Sequence, residues 1–411
     1  MKKVLILTIL NLLLFSLLPV AAQRKDISYN LYGFVRAEGY FNTRANEDVC
    51  DGLHYLYPKD HNYDSNGKDL NAISDNGFYS YNTRLGLDLR GPNLGSAKLS
   101  AKIETDFAGN SSGTSILRIR HAYLQLDWAK GSSLLLGQTW HPFWGDFVPQ
   151  VMDLSVGSPY QLLNRSPMIQ YQYRKQNFRL RGSAVFQSTM KSYGPNGNSN
   201  EYMRRGGVPE LVLDLDYISD NLRLGASVEF LSLRPRTASD FNDKIYKVSE
   251  NVSSFSYELH GKYTKDLFSI AAKTAIVSNM SHCMTLGGYG VTSVDEITGK
   301  QKYTPFKHSM SWLNLTYGKK WQGSLFGGYI KSLGSDKSIV DANKVYGRGM
   351  DIDQLLRGSF IVSYNLPHWQ MGVEYMLSTA WYGDMQLSSG KIKNTHSVTN
   401  HRLGCALTYF F

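Results

Sequence analysis

The sequence predicts an all-β fold: a transmembrane antiparallel β-barrel of about sixteen strands, with its third long loop folded inward. Three observations predict it. Polar and apolar residues alternate with period two from one end of the chain to the other. The connections between these segments switch regularly between short turns and long loops. After the N-terminal segment, no run of about 18 apolar residues provides a spanning helix. A chain that crosses a bilayer without helices closes its strands into a barrel, because closure pairs every backbone donor and acceptor.

Met1 to Gln23 reads as a secretory leader. Lys2 and Lys3 form a basic start, and Val4 to Leu18 an apolar stretch interrupted by Thr8, Asn11 and Ser16. Val20-Ala21-Ala22 places small residues before a cleavage point at Gln23, which divides the chain into a leader, 1–22, and a barrel domain, 23–411. No Cys follows that point, so no lipid anchor is expected.

The alternating segments are 30–41, 77–90, 94–107, 115–128, 132–140, 167–174, 177–189, 208–218, 221–233, 253–264, 267–279, 306–317, 321–332, 353–364, 368–381 and 396–411. Most reach the roughly 9–11 residues that a tilted strand needs to cross a bilayer. Short turns join them at Gly91-Pro92-Asn93, Ala129-Lys130-Gly131, Lys175-Gln176, Ser219-Asp220, Lys265-Asp266, Gly318-Lys319-Lys320 and Asn365-Leu366-Pro367. Gly, Pro, Asn and Asp supply the dihedrals of a tight reversal. The long connections are 42–76, 108–114, 141–166, 190–207, 234–252, 280–305, 333–352 and 382–395. A soluble sandwich has no reason to keep this asymmetry, whereas a membrane barrel does.

The strand faces agree. In 94–107, Lys98, Lys102, Glu104 and Asp106 share one face, and Leu99, Ala101, Ile103 and Phe107 the other. In 208–218, Asp214 and Asp216 oppose Leu211, Leu213 and Leu215. A polar lumen and a lipid-facing exterior produce this pattern. Trp128, Tyr217, Tyr263, Tyr317, Trp321, Tyr364 and Trp369 lie beside the short turns, where an interfacial girdle belongs.

Composition excludes other classes. The net charge of +10 falls to about +8 without Lys2 and Lys3. The charges are scattered singly along strands, so a basic water-filled lumen explains them and no nucleic-acid partner is expected. Cys50, Cys283 and Cys405 make no disulfide framework. Cys50 and Cys283 fall in loops, which permits a bond between them, but free thiols are expected. No cysteine pair has zinc spacing. The Asp60 to Asp75 stretch lacks a regular calcium-loop pattern and reads as a solvated loop. The ten histidines are dispersed. No Gly-x-Ser-x-Gly or His-Glu-x-x-His occurs, so no catalytic residue, metal or cofactor is expected.

Two stretches carry a narrower resemblance. Ile116 to Leu126 reads ILRIRHAYLQL and Leu134 to Trp144 reads LLLGQTWHPFW. An Arg-x-Arg-His-Ala-Tyr strand, a tight turn, and a strand ending Gly-Gln-Thr-Trp before a long loop resemble the DcaP-like trimeric porins. Leu31 to Glu38, LYGFVRAE, is similar to the first strand of that family. The match at the level of motifs covers about 30–41 and 115–145; the rest is likeness of architecture. Family members can carry an N-terminal coiled coil, for which the few residues between Gln23 and the first strand leave no room. A strand of alternating polarity ending in Phe411 also resembles the recognition strand of Gram-negative outer-membrane barrels.

The resemblance implies a homotrimer in the bacterial outer membrane, in contact with its lipid, that passes small hydrophilic solutes by passive diffusion. It also implies that 141–166, the third long loop, folds into the lumen. His141, Phe143, Trp144, Phe147, Val148, Met152 and Leu154 give that loop the apolar surface such packing needs. Strand parity turns Arg36, Arg84, Arg118, Arg120, Arg179 and Arg181 inward, and basic residues modestly outnumber acids on the inner wall. Parity breaks after Arg120, so a bulge near His121 is expected to restore the register. The expected constriction comprises Arg36, Arg84, Arg118, Arg120, Arg179 and Arg181 with His141, Trp144, Asp146 and Arg165. Guanidinium groups there would favour anions such as carboxylates. Small residues on the early strands, Gly33, Ala37, Gly39, Ala97 and Ala101, offer a flat wall for subunit contact. Two alternatives stay open on sequence alone: a barrel enzyme hydrolysing lipid or peptide, and a plugged structural or adhesive barrel.

Overall fold

The computed structural model describes residues 27–111 and 114–411; the leader expected at 1–22 lies outside them. Sixteen antiparallel strands close into a barrel, as the alternation predicts. They are β1 (Ser28–Asn42), β2 (Arg84–Arg90), β3 (Lys98–Ser111), β4 (Thr114–Asp127), β5 (Ser132–Trp140), β6 (Arg165–Lys175), β7 (Phe178–Val185) and β8 (Glu210–Ile218) in the first half. The second half holds β9 (Leu222–Leu233), β10 (Val252–Lys265), β11 (Phe268–Ser278), β12 (Gln301–Gly318), β13 (Trp321–Ser335), β14 (Ile352–Asn365), β15 (Trp369–Met385) and β16 (Ile392–Phe410). Each strand pairs with its sequence neighbours. β1 closes the ring on β16 in the register Phe34↔Phe410 to Asn42↔Arg402.

The period-two pattern sorts the side chains as membrane physics requires. Leu213, Leu215, Leu224, Tyr257 and Leu259 face outward and are about half exposed, while Asp214, Asp216, Ser227, Glu229 and Glu258 are buried inside. The rings of Trp321 and Tyr364 pack 4.7 Å apart beside a short turn, and those of Trp369 and Tyr409 4.8 Å apart beside another, as an aromatic girdle should. The turns use the residues that tight reversals demand. At Gly131, φ is 85° and a Cβ would sit 2.2 Å from the Arg174 carbonyl oxygen, so only glycine fits.

Several expected boundaries shift, three of them in the early strands. The segment 77–90 is not one strand: Asp75–Tyr79 and Arg84–Arg90 both pair with β1 and are separated by a break at 80–83. There the Thr83 hydroxyl accepts from the Arg36 backbone N–H, replacing a ladder bond. The segment from 94 starts its strand only at Lys98, because Leu94 and Ala97 bridge a turn across Gly95. Its Ala97 is 1 % exposed under that turn and offers no flat wall. The connection placed at 108–114 is no extended loop, since β3 runs to Ser111 and β4 starts at Thr114.

Long loops fill part of the lumen, and residues of the loop after β11 join their apolar cluster. The loop 141–164 crosses the lumen from β5 to the opposite wall. The Lys273 ammonium of β11 donates to the Phe143 carbonyl, the Trp312 indole of β12 to Gln161, and the Arg357 guanidinium of β14 to the Ser158 carbonyl. Phe143, Tyr160 and Leu162 pack in one apolar cluster with Trp312, Phe326, Ile330 and Leu355 of the inner wall. That stretch of wall is apolar on its lumen side, so burying it against the loop is favourable at about 1.5–3 kcal/mol per large side chain. The first long loop also turns inward, which the sequence reading did not anticipate. It forms a hairpin of Asn46–Val49 and His54–Pro58. Its Leu56 joins the same cluster, and its Leu56 carbonyl accepts from Arg357.

Candidate functional site

The loops pack mainly against β11 to β15, and open space remains against β1 to β6. That space is a cavity of about 170 Å³ lined by Arg36, Arg84, Arg118, Arg120 and Arg165, with Trp140 of β5 and the loop segment 151–156. A second cavity, of about 480 Å³, shares His54, Arg118, Arg165 and Met190 with it, so the two run on from one another.

Local structure explains why so many guanidinium groups meet here. Arg118 and Arg120 are two apart on β4 and share the inner face with the next residue, His121. The pairing with β3 runs His121↔Glu104 and then Ile119↔Thr105, which leaves Arg120 as the extra residue of a bulge. The bulge expected near His121 is therefore present. It lets Arg118, Arg120 and His121 point inward while Leu117, Ile119 and Leu124 face out, each at least half exposed.

Four of the five arginines are paired. Arg118 grips both oxygens of Asp106 at 2.6 and 3.1 Å. Arg120 bridges Glu104 and Asp106, each at 2.7 Å. Arg84 approaches Glu104 at 3.5 Å, and Arg36 holds Glu38 at 2.7 Å and donates to the Met152 carbonyl of the loop. Arg165 differs. It is 4 % exposed and makes no ion pair with any described residue. Its guanidinium lies 4.8 Å from the Trp140 ring centre, and its Nη1 has no hydrogen-bond partner among the described residues. Trp140 also receives Arg120 at 5.3 Å and stacks on Trp144 at 3.9 Å. A buried guanidinium without a counter-charge is unfavourable, and an anion in the cavity relieves it.

His54 lines both cavities and is fully buried on the first loop's hairpin. Burial pushes its imidazole down to about 3, and the neighbouring Arg118, Arg348, Arg165 and Arg357 push in the same direction. It is neutral at physiological pH. The fixed positive charge here thus belongs to arginine.

The other expected residues lie elsewhere. Asp146, in the inward loop, binds Arg179, Arg181 and Arg223 of β7 and β9. Burial works to raise the Asp146 carboxyl, but Arg181, Arg179 and Arg223 together hold it below its ordinary value. Arg179 and Arg181 therefore anchor the loop to the wall and do not line the 170 Å³ cavity. His141 is buried against Glu210, and Trp144 lies behind Trp140. The sequence reading missed Trp140, although the Gly-Gln-Thr-Trp motif contains it. It also missed His54 and Asp153, which only the folding of two loops brings to this wall. Cys50, Cys283 and Cys405 are free thiols.

Comparison with solved structures supports the fold. The outer membrane channel DcaP of Acinetobacter baumannii superposes with a TM-score of 0.67 at 20 % identity, over 95 % of this chain and 99 % of that one. In vitro folded OmpT, an outer membrane protein of Vibrio cholerae, gives 0.55 at 12 % identity over 94 % and 98 %. An anion-selective porin from Comamonas acidovorans gives 0.53 at 12 % identity over 94 % and 100 %. No protein-family profile and no curated protein sequence matches the chain.

Proposed function

We propose that this chain is an outer-membrane porin through which small hydrophilic solutes diffuse passively, with a preference for anions such as carboxylates. One observation carries the reading: five arginines surround one lumen cavity, and Arg165 among them has no ion-pair partner among the described residues. Guanidinium groups bind carboxylates through paired N–H donors, and a narrow low-dielectric passage strengthens their field. Four carboxylates, Glu38, Glu104, Asp106 and Asp153, stand at or behind the same wall, so the excess is small and lies at Arg165. The likeness to channels of the bacterial outer membrane supports both the location and the transport role. A homotrimer follows from the DcaP-like resemblance, with Ala37, Gly39 and Ala101 remaining as small residues on early strands. The reading involves no catalysis and no cofactor.

A plugged barrel is the second reading, favoured by the loops that pack inside the lumen. Planar-bilayer recording separates the two. A porin gives stepwise increases of conductance as single molecules insert, and a bilayer that stays silent after confirmed insertion means that the lumen is sealed.

A further inference from the structure

Behind the arginine cavity lies a cluster that solute passage does not use. His141 opens the inward loop, Glu210 begins β8, and His282 and Cys283 lie in the loop after β11. All four are at most 1 % exposed. The ligand atoms of His141, His282 and Cys283 lie within 4.8 Å of one another. Glu210 Oε1 is 2.8 Å from His141 Nε2, and Glu210 Oε2 is 3.1 Å from His282 Nε2. Among the described residues, His282 Nδ1 has no hydrogen-bond partner, and neither oxygen of the adjacent buried Glu229 makes a hydrogen bond of sound geometry.

We infer that His141, Glu210, His282 and Cys283 form a site for a transition metal of zinc type. Zinc takes four ligands at about 2.0–2.3 Å in a tetrahedron, which spaces ligand atoms roughly 3.5 Å apart. The present spacing brackets that distance, and a closure of about 1 Å suffices at its wider side. The mixed nitrogen, sulfur and oxygen set suits zinc rather than magnesium or calcium, which prefer oxygen alone. One thiolate and one carboxylate neutralise the dication, and two neutral imidazoles complete the shell. Binding releases the Cys283 thiol proton to water through the adjoining cavity. It also shifts the one proton of the His141 imidazole, now on Nε2 against Glu210, to Nδ1, so the 3.2 Å contact from the Phe143 N–H is given up. Glu229 then has a cation within reach. Ser281, His282 and Met284 border the cavity of about 480 Å³, which provides an entry path.

The site holds the neck of the inward loop. His141 N–H donates to the Asn164 carbonyl at 3.0 Å, which ties the loop's two ends together. Leu163 N–H donates to the Cys283 carbonyl at 2.9 Å. A metal here joins the loop that narrows the lumen to the wall and to a second loop. Sequence spacing could not reveal it, because its residues come from three separate segments.

Cobalt titration of the detergent-purified full chain, stripped with a chelator and then dialysed, tests the site. The expected result is one equivalent bound per chain, tetrahedral d–d absorption, a thiolate-to-cobalt charge-transfer band, and displacement of cobalt by zinc. Cys283→Ser should remove the charge-transfer band, and His282→Gln should weaken uptake about tenfold or more, with folding of both variants checked by heat-modifiable gel mobility. The wild-type spectrum decides the question even where a variant does not fold. Uptake below one equivalent, a spectrum without the thiolate band, or a band that survives Cys283→Ser would each reduce the cluster to a proton-bonded anchor.

Discussion

Arg165, Arg118 and Arg120 border the same cavity but hold different electrostatic positions. Arg165 is unpaired among the described residues and buried against Trp140. Replacing Arg165 with Ala removes the uncompensated charge. It should lower the ratio of anion to cation permeability severalfold with little loss of folded protein; an unchanged ratio would place the charge outside the solute path. Replacing Arg120 with Ala does something else. Glu104 and Asp106 are both buried and lose a partner at 2.7 Å. Removing one partner of a buried ion pair costs about 3–5 kcal/mol. Arg120→Ala should therefore lower the temperature at which the heat-modifiable form is lost, and Arg120→Lys should restore only part. The double change of Arg118 and Arg120 to Ala leaves two carboxylates facing the cavity and should turn the preference towards cations. Titration behaves differently again. His54 stays neutral because its imidazole is held at about 3, and arginine remains charged. Selectivity should thus stay flat between about pH 5 and 8; a step near the ordinary histidine value would show that a histidine carries the charge. Arg118 and Arg120 were legible as inward residues because the broken parity after them demanded a bulge. Their pairing with Asp106 and Glu104 was not, since parity reports a face and says nothing of which carboxylate lies across it.

The inward loop was legible as an element because a long connection rich in Phe, Trp and Leu cannot be left in water at modest cost. Its path across the lumen, ending on Trp312, Phe326 and Arg357, depends on which wall is apolar inside, and no single strand displays that. Phe143 and Tyr160 are 0 % and 1 % exposed. Phe143→Ala should remove about 3–5 kcal/mol of packing and appear in bilayer recordings as larger, noisier conductance steps. Removing part of 141–166 should raise conductance further. Steps of wild-type size in both variants would mean that the loop does not narrow the path. The solvated reading covers only the Asp60 to Asp75 part of the first loop, and Leu53, Tyr55, Leu56 and Tyr57 form an apolar run just before it. The polar stretch from Asp60 to Asp75 masked that run. Residues 77–79 of the strand Asp75–Tyr79 read as one segment with β2 because alternation continues through the break at 80–83.

At the scale of the whole molecule, closure depends on the last residue as well as the last strand. Gly33 and Phe411 exchange both backbone hydrogen bonds, each at 3.1 Å, and the Phe411 ring covers Gly33, where a Cβ would lie 2.9 Å from it. Deleting Phe411 removes that closing pair and should reduce the SDS-resistant, heat-modifiable form; full yield of that form would show that β1 and β16 close without it. The strand count and barrel were legible because each strand repeats one pattern and each reversal names its turn residues. Assembly is not written in the same way, and the mass of the native detergent complex tests the trimer. The central claim concerns the charge of the path. It is tested most directly by the zero-current potential of the wild-type protein in a planar bilayer under a gradient of dilute potassium chloride. The arginine cavity predicts a potential of the sign set by chloride, shrinking as salt is raised and the charges are screened. A potential of the sign set by potassium would contradict it.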